Sequence, residues 1–174
     1  MSVVDRLSRV SQGELRDLLR RCCESEHWVE RVAAERPFDS DEKLFERSRE
    51  IWWELGADDW REEFAHHPRI GELQGDGSEV QATRSWIRDE QEGAAAASAA
   101  TREALEQANA AYEERFGHVF VIAATGLSAE EILGRLRERL DNDPETELKT
   151  AADEQFKITR HRLEQLDEDG HGST

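Results

Sequence analysis

The sequence is poor in lysine, cysteine and proline, and it contains no long apolar run. No apolar stretch approaches the roughly 18 residues that a membrane-spanning helix needs, so we expect no membrane association. The first residues, MSVVDRLSRV, lack the apolar core of about 7–15 residues that secretory signals carry. The last residues, HGST, do not form a peroxisomal tripeptide. We therefore predict a cytoplasmic location.

Lysine is scarce in a strongly acidic chain. Only three of the 23 basic residues are lysines (Lys43, Lys149 and Lys157), and 40 acidic residues bring the net charge to −17. This charge repels nucleic-acid phosphates and anionic lipids, so we expect no nucleic-acid partner and no membrane partner. A salt-rich cytoplasm and a GC-rich genome are both consistent with an acidic, arginine-dominated composition.

The only two cysteines, Cys22 and Cys23, are adjacent in the sequence. Neighbouring cysteines rarely form a disulfide with each other, and two thiols alone do not complete a four-ligand zinc site. On a helix they point in different directions, so we expect at least one of them in the core.

Helical periodicity dominates the chain. Apolar residues recur at three- and four-residue steps after two capping boxes, Ser11 with Glu14 and Ser128 with Glu131. Further helices are expected to begin at Asp39 or Ser40, near Trp60, at residue 82, at Thr101 and at Pro144. Gly56 and Gly117 are expected to end helices. The last helix should bury Leu148, Ala152, Phe156, Thr159, Leu163 and Leu166.

Two segments lack helical periodicity. Residues 74–79, QGDGSE, indicate a loop. Residues 118–125, HVFVIAAT, are apolar and β-branched, but the chain offers no second strand for pairing, so we expect buried extended or irregular chain. Together these patterns predict one all-α domain of six to eight helices over residues 1–166, followed by a flexible acidic tail at 167–174.

The segment AHHPRIGEL, residues 65–73, concentrates reactive chemistry in a turn. Pro68 disfavours helical geometry at His67, so the preceding helix should end there and can direct His67 into a cleft. With an ordinary pKa of about 6.5, histidine can give or take a proton at neutral pH. Alternatively, His66 and His67 only cap carbonyls at a helix end. A metal site with Glu72 would need His118 or His161 from elsewhere, and no His-Glu-x-x-His spacing is present.

Two further segments could bind a polar ligand. In WIRDEQEG, residues 86–93, Glu90 shares a helix face with Trp86, and Gln91 lies about 100° round the helix. This carboxylate and amide could orient a histidine and bind a ureido group, or they could lie on a solvated face. In FKITRHRL, residues 156–163, either Arg160 or Arg162 could hold a carboxylate with paired hydrogen bonds, or both could pair with surface acids.

Taken together and in order, these segments resemble the family of OHCU decarboxylases, the 2-oxo-4-hydroxy-4-carboxy-5-ureidoimidazoline decarboxylases of urate breakdown. The resemblance spans almost the whole chain. It rests on WVERVAAERPF (28–38), HPRIGE (67–72), W…EQ (86–91), NAAYEERFGHVFVIAATGLSAEEIL (109–133), RLRERLDNDPETEL (135–148) and KITRHRL (157–163).

The resemblance implies an all-α homodimer that needs neither a metal nor an organic cofactor. It implies the loss of CO2 from the small molecule OHCU to give (S)-allantoin, with His67 as acid/base and Glu90 as its catalytic partner. The substrate-binding residues that it implies are Pro68, Gln91, Val121, Ile122, Ala123 and Arg162.

One position departs from the family pattern. Many members carry a serine three residues before the glutamate of the EQ pair, where this chain has Ile87. Ser85 does not lie on the same helix face as residue 87. This difference keeps open another cofactor-free decarboxylase or lyase that acts on a related ureido acid. The alternative from a different class is a non-enzymatic helical interaction module with an acidic docking surface.

Overall fold

The computed structural model describes residues 1–67 and 99–167, and within these ranges every regular element is an α-helix. The described residues form eight helices, which are α1 (Val3–Arg9), α2 (Gln12–Cys22), α3 (Glu26–Ala34), α4 (Asp41–Glu54), α5 (Ala57–Ala65), α6 (Ala99–Phe116), α7 (Ala129–Arg139) and α8 (Pro144–Gln165). The predicted all-α class is confirmed. The predicted loop at 74–79, most of the helix predicted from residue 82, and residues 168–174 of the predicted tail lie outside the described residues.

The chain divides into two compact units. The first comprises Met1–Glu63 and Phe156–Thr174, and the second comprises Phe64–Gln155. Helix α8 therefore contributes its first part to the second unit and its last part to the first. That residues 1–166 act as one domain stays a prediction.

In the first unit, short polar signals begin the helices and large apolar side chains fill the core. The predicted capping box of Ser11 and Glu14 is present at the start of α2, and Ser40 caps α4. Trp28 is fully buried and donates its indole N–H to the carbonyl of Ser48 at 3.1 Å. Cys22 and Cys23 are both buried and unbridged, which confirms the expectation of at least one core cysteine.

The second unit has its own apolar core. The core side chains include Leu105, Tyr112, Phe120, Ile122, Ile132 and Leu136. Gly117 ends α6 with a φ of +78°, a conformation that glycine adopts without strain. The capping box of Ser128 and Glu131 begins α7, and Pro144 is the first residue of α8, both as predicted.

One predicted helix start is wrong. Thr101 lies inside α6, which already includes Ala99, so Thr101 is not the cap of this helix. Its hydroxyl donates instead to Glu130 at 3.4 Å. A threonine after an alanine-rich stretch resembles a cap in sequence, but alanine continues a helix readily.

None of the helices in residues 1–67 and 99–167 is long and apolar enough to cross a bilayer.

Candidate active site

His67 directly follows the end of α5. The helix ends at Ala65, as the following Pro68 predicted, and the backbone N–H of His67 donates to the carbonyl of Phe64 at 3.1 Å. The imidazole is half-buried, and its Nε2 forms a short hydrogen bond with the amide oxygen of Gln155 on α8. Gln155 is fully buried. The His67 ring is therefore held by a contact 88 residues away in sequence.

Residues 118–125 form the irregular segment that the sequence predicted, and its residues 120–122 and 124 are buried. Val121 is 2 % exposed and Ile122 is 4 % exposed. The carbonyl of Val121 accepts a hydrogen bond from Nη1 of Arg139 at 2.6 Å, and the N–H of Ala123 donates to Oε2 of Glu154 at 3.1 Å. The described residues of the second unit contain no strand, and charged side chains pair with these backbone groups instead.

A buried ion pair fixes Arg139 in this position. Its Nε lies 2.8 Å and its Nη2 lies 2.5 Å from Oε1 of Glu147, which is itself fully buried. The hydroxyl of Tyr112 also donates to this oxygen, and Asn142 Nδ2 donates to the other carboxylate oxygen at 3.0 Å. Burial, together with the hydrogen bond to Glu147, raises the pKa of Tyr112. The buried groups of Arg139, Glu147 and Tyr112 thus satisfy one another, and the half-buried Asn142 completes the set.

The Arg139 guanidinium also lies against aromatic rings. Its central carbon is 4.4 Å from the centre of the Phe120 ring, a cation–π distance. His118 packs against Phe64, with ring centres 5.0 Å apart, and its Nδ1 lies 3.0 Å from the carbonyl of Val119. His118 is therefore an aromatic packing residue. Within residues 1–67 and 99–167, no three His, Cys, Asp or Glu side chains are arranged to hold a metal ion.

The two candidate arginines, both in the first unit, differ in their exposure to solvent. Arg160 is exposed, pairs with Glu164 at 3.0 Å and lies over the ring of Phe45. Arg162 is only 8 % exposed. Arg162 lies near the buried carboxyl group of Glu63, and its role in binding a substrate carboxylate stays a prediction.

Glu63 is a second buried charge-bearing group near Arg162. It is 1 % exposed and accepts the backbone N–H of Glu24 at 2.7 Å. Burial raises the pKa of Glu63 to about 8, although the positive charge of Arg162 acts in the opposite direction. Burial and the nearby Glu63 also raise the pKa of the Cys23 thiol, which argues against a reactive thiolate there.

The structure brings only part of the predicted site together. His67 and Ala123 belong to the second unit, and adjacent residues of α8, Gln155 and Glu154, hydrogen-bond to them. Arg162 belongs to the first unit. Three predicted site residues lie outside the described residues: Pro68, Glu90 and Gln91. Ile87 also lies outside them.

Sequence reasoning missed the residues that hold these groups. Gln155 falls between Ala152 and Thr159 on the predicted apolar stripe of α8, and a polar residue on such a stripe is a detectable signal. Glu147 and Arg139 lie in the quoted segment RLRERLDNDPETEL, but nothing in its spacing shows that both are buried. Glu63 is one of several acids in α5 and carries no local signal.

Comparison with known proteins identifies the family of this chain and solved structures with a similar fold. The family model described as OHCU decarboxylase matches residues 8–164. The uric acid degradation bifunctional protein TTL of Arabidopsis thaliana is 33% identical over 146 residues, which is 83% of this chain and 45% of that protein. The 2-oxo-4-hydroxy-4-carboxy-5-ureidoimidazoline decarboxylase of Haloferax volcanii is 26% identical, over 92% of this chain and 93% of that protein.

A solved structure agrees with these sequence matches. The crystal structure of OHCU decarboxylase in the presence of (S)-allantoin has a TM-score of 0.74 and 30% identity, and the match covers 88% of this chain and 99% of that chain. The chain spans less than half the length of the first two curated relatives that it matches, at 45% and 34%.

Proposed function

Because the chain belongs to the OHCU decarboxylase family, we propose that it is a carboxy-lyase that converts 2-oxo-4-hydroxy-4-carboxy-5-ureidoimidazoline to (S)-allantoin in urate breakdown. The observation that carries this proposal is the likeness, over nearly the whole of both chains, to OHCU decarboxylase crystallised with (S)-allantoin. The position of His67 in a helix-ending turn, half-buried and held by a buried amide, supports an acid/base role.

The substrate's own structure explains how the reaction can proceed without a cofactor. When the bond to the carboxylate breaks, CO2 leaves and its electron pair passes into the conjugated ring system beside the carboxylated carbon. The substrate therefore provides its own electron sink, so neither a metal nor an organic cofactor is needed. The protein has to orient the carboxylate, stabilise the developing negative charge and deliver one proton.

Each of these tasks has a proposed residue. His67 delivers the proton to one face of the ring, which fixes the hand of the allantoin, and Glu90 steadies its imidazole. Arg162 binds the substrate carboxylate. The ureido and ring groups meet Pro68, Gln91 and the backbone of Val121, Ile122 and Ala123. A general acid/base group of this kind typically contributes about 10²–10⁴ in rate.

The hydrogen bond of the Ala123 backbone limits the contacts that this residue can offer a substrate. Its N–H donates to Glu154, so the substrate would meet the carbonyl side of this segment or would compete with a carboxylate. The side chains of Val121 and Ile122 are buried. Contacts through the backbone therefore suit this segment better than contacts through these side chains.

The assembly and the location are part of the same proposal. We propose that the enzyme is a homodimer, as its family resemblance implies, and that it acts in the cytoplasm, as its sequence predicts. Size-exclusion chromatography with light scattering distinguishes a dimer from a monomer of 19.9 kDa.

Ile87 supports a second candidate function. At a position where many relatives carry a serine, an isoleucine cannot donate a hydrogen bond to the substrate. A related ureido acid that lacks the matching polar group would suit an isoleucine better, because no buried polar atom would be left unpaired. In that case the fold and the proton chemistry would be retained with another substrate.

Stereospecific product formation is the experiment that tests the proposed function. OHCU is generated freshly, the protein is added with and without a chelator, and circular dichroism of the allantoin is followed. We expect a single optical hand, formed faster than the spontaneous decay and unaffected by the chelator. Racemic allantoin at the spontaneous rate would contradict the proposal and would favour the second substrate or a non-enzymatic interaction module.

A further inference from the structure

We propose that Arg139 is a positioning residue for the backbone that meets the substrate: it fixes the peptide plane between Val121 and Ile122 and so sets the direction of the Ile122 N–H. This role rests on the proposed function, in which the backbone of Val121, Ile122 and Ala123 contacts the ureido and ring groups. Arg139 lies at the end of α7, in a segment that resembles the family, and the resemblance assigns this arginine no role.

The guanidinium of Arg139 connects the irregular segment to a buried carboxylate. Its Nη1 donates to the carbonyl oxygen of Val121 at 2.6 Å, and its Nε and Nη2 donate to Glu147 at 2.8 and 2.5 Å. All three nitrogen atoms thus have an acceptor within the second unit, and Arg139 is only 7 % exposed. Arg139 is therefore suited to hold the backbone that meets the substrate, and not to bind the substrate itself.

The peptide bond carries the effect of this contact to the next residue. The bond between Val121 and Ile122 is trans. In a planar trans peptide the N–H points in the direction opposite to the carbonyl oxygen. The N–H of Ile122 is therefore directed away from Arg139, because the hydrogen bond to Val121 fixes the plane in which it lies.

The next peptide plane is fixed from another helix. The N–H of Ala123 donates to Oε2 of Glu154 on α8 at 3.1 Å, so the carbonyl of Ile122 points away from Glu154. Neither backbone group of Ile122 hydrogen-bonds to another of the described residues. Within this part of the chain their directions are therefore set by Arg139 and Glu154. A backbone that is fixed before binding lowers the ordering cost of binding a ligand.

The partners of Glu147 make Arg139 a rigid support. Glu147 is fully buried, and it also accepts hydrogen bonds from the hydroxyl of Tyr112 and from Nδ2 of Asn142. Because a guanidinium is planar and rigid, fixing two of its nitrogen atoms on Glu147 also fixes the third, which holds Val121. A lysine would offer a single ammonium on a flexible chain in its place.

Two variants and one control separate positioning from a purely structural role. Arg139→Met/Glu147→Leu removes the donor to Val121 together with the buried carboxylate, so no unpaired charge is left. Arg139→Lys keeps a cation beside Glu147 but loses the fixed arrangement of three nitrogen atoms. Leu105→Ala is the matched control, because it lowers stability by removing a buried side chain from the core of the same unit and leaves the Arg139 hydrogen bonds in place.

One dipeptide makes the contact observable without substrate. Val121–Ile122 is the only Val-Ile pair in the sequence. With ¹³C in the valine carbonyls and ¹⁵N in the isoleucine amides, an NMR spectrum that correlates each amide with the preceding carbonyl therefore shows one signal, from this peptide. The carbonyl shift of Val121 reports its hydrogen bond. The second readout is the KM and kcat for OHCU.

For Arg139→Met/Glu147→Leu we expect the Val121 carbonyl signal to move upfield and KM to rise about tenfold or more. The change in kcat should be smaller, because contacts to the ureido group act on the bound substrate and on the transition state alike. Arg139→Lys should move both readouts in the same direction by less. Leu105→Ala should keep the wild-type signal and KM.

A wild-type KM or an unmoved carbonyl signal in Arg139→Met/Glu147→Leu would overturn the proposal. An equal rise in KM in Leu105→Ala would overturn it as well, because the effect would then follow stability. The carbonyl signal also separates this proposal from the proposed function, since it is measured without substrate. Racemic allantoin from the wild type would remove the assigned reaction, and a signal that depended on residue 139 would still support the positioning of this backbone.

Discussion

The carboxyl group of Glu63 accepts the backbone N–H of Glu24 at 2.7 Å in a location where only 1 % of Glu63 is exposed. Burial disfavours the charged form of this carboxyl group. The backbone hydrogen bond and the positive charge of Arg162 offset only part of this effect, so the pKa of Glu63 rises to about 8. The burial of Glu63 makes the stability of the protein depend on pH.

We expect Glu63→Gln to stabilise the protein increasingly as the pH rises from about 5 to about 8. Between the unfolded pKa of 4.5 and the folded value of about 8, the folded chain retains a proton that the unfolded chain has released. The free energy of unfolding of the wild type therefore falls with pH in this window. The amide of the variant does not titrate, so the gain over the wild type should reach the order of 3 kcal/mol at pH 8.

Urea denaturation at pH 5 and pH 8 measures this difference, with Glu62→Gln at an exposed neighbouring position as the control. A gain that was equal at both pH values would show that Glu63 is already ionised in the folded protein.

His67→Ala should abolish most of the decarboxylation while the helix content stays the same. The imidazole is the proposed proton donor and acceptor, and its loss should lower kcat by about 10²–10⁴. Its backbone N–H still closes the turn onto Phe64 in the variant, so far-ultraviolet circular dichroism should be unchanged. His66→Ala, at the exposed neighbour, should keep normal turnover. Normal turnover by His67→Ala would remove His67 from the mechanism.

Arg162→Gln should weaken substrate binding, and Arg160→Gln should not. Arg162 is buried and is the proposed partner of the substrate carboxylate, whereas Arg160 is exposed and pairs with Glu164. The loss of a charged hydrogen bond of about 1.5–3 kcal/mol corresponds to a rise in KM of roughly 10- to 100-fold. Steady-state kinetics on both variants provide the comparison, and wild-type KM values in both variants would show that neither arginine binds the carboxylate.

Arg139→Met should destabilise the protein by about 3–5 kcal/mol, because it leaves the fully buried carboxylate of Glu147 without its cation. The double variant Arg139→Met/Glu147→Leu should recover part of this loss, since no unpaired charge remains. Urea denaturation gives the free energies of unfolding. Lys149→Met, which removes one partner of an exposed ion pair with Glu145, should have little effect. A double variant less stable than the single variant would contradict the charge argument.

Two glycine substitutions should change stability in opposite directions. Gly117 has a φ of +78°, so Gly117→Ala should cost about 1–2 kcal/mol through backbone strain. Gly134 lies inside α7, and beyond the neighbouring backbone of that helix no atom of the described residues lies within 4 Å of an added Cβ, so Gly134→Ala should stabilise by about 0.5–1 kcal/mol. Thermal unfolding of the two variants side by side tests the prediction, and a stabilised Gly117→Ala would contradict the conformational argument.

The predictable part of this fold is local in sequence. A serine and an acid three residues apart are enough to begin α2 and α7, and Pro68 is enough to end α5 before His67, because each signal acts within one turn. The same box, formed by Ser2 and Asp5, begins α1. Thr101 shows the limit of such signals. A residue type that often caps helices does not start one when it lies within a stretch of residues that favour the helix.

The less predictable part of the site depends on partners far apart in the chain. Gln155 meets His67 across 88 residues, and Glu154 meets Ala123 across 31. Local periodicity does not report which polar side chains of a helix are buried, or against what. The resemblance to a known family identified His67 and the segment around Val121, but the residues that hold them emerge only from the three-dimensional contacts.

The hydrogen bond that anchors residue 121 to Arg139 is accepted by a backbone carbonyl oxygen, which every amino acid has. Exchanging the buried side chain at position 121 leaves this anchor intact, so the distance between this backbone segment and α7 is preserved when the residue type changes. A mutation there therefore alters the local packing of the side chains and leaves the backbone tied to the buried ion pair of Arg139 and Glu147.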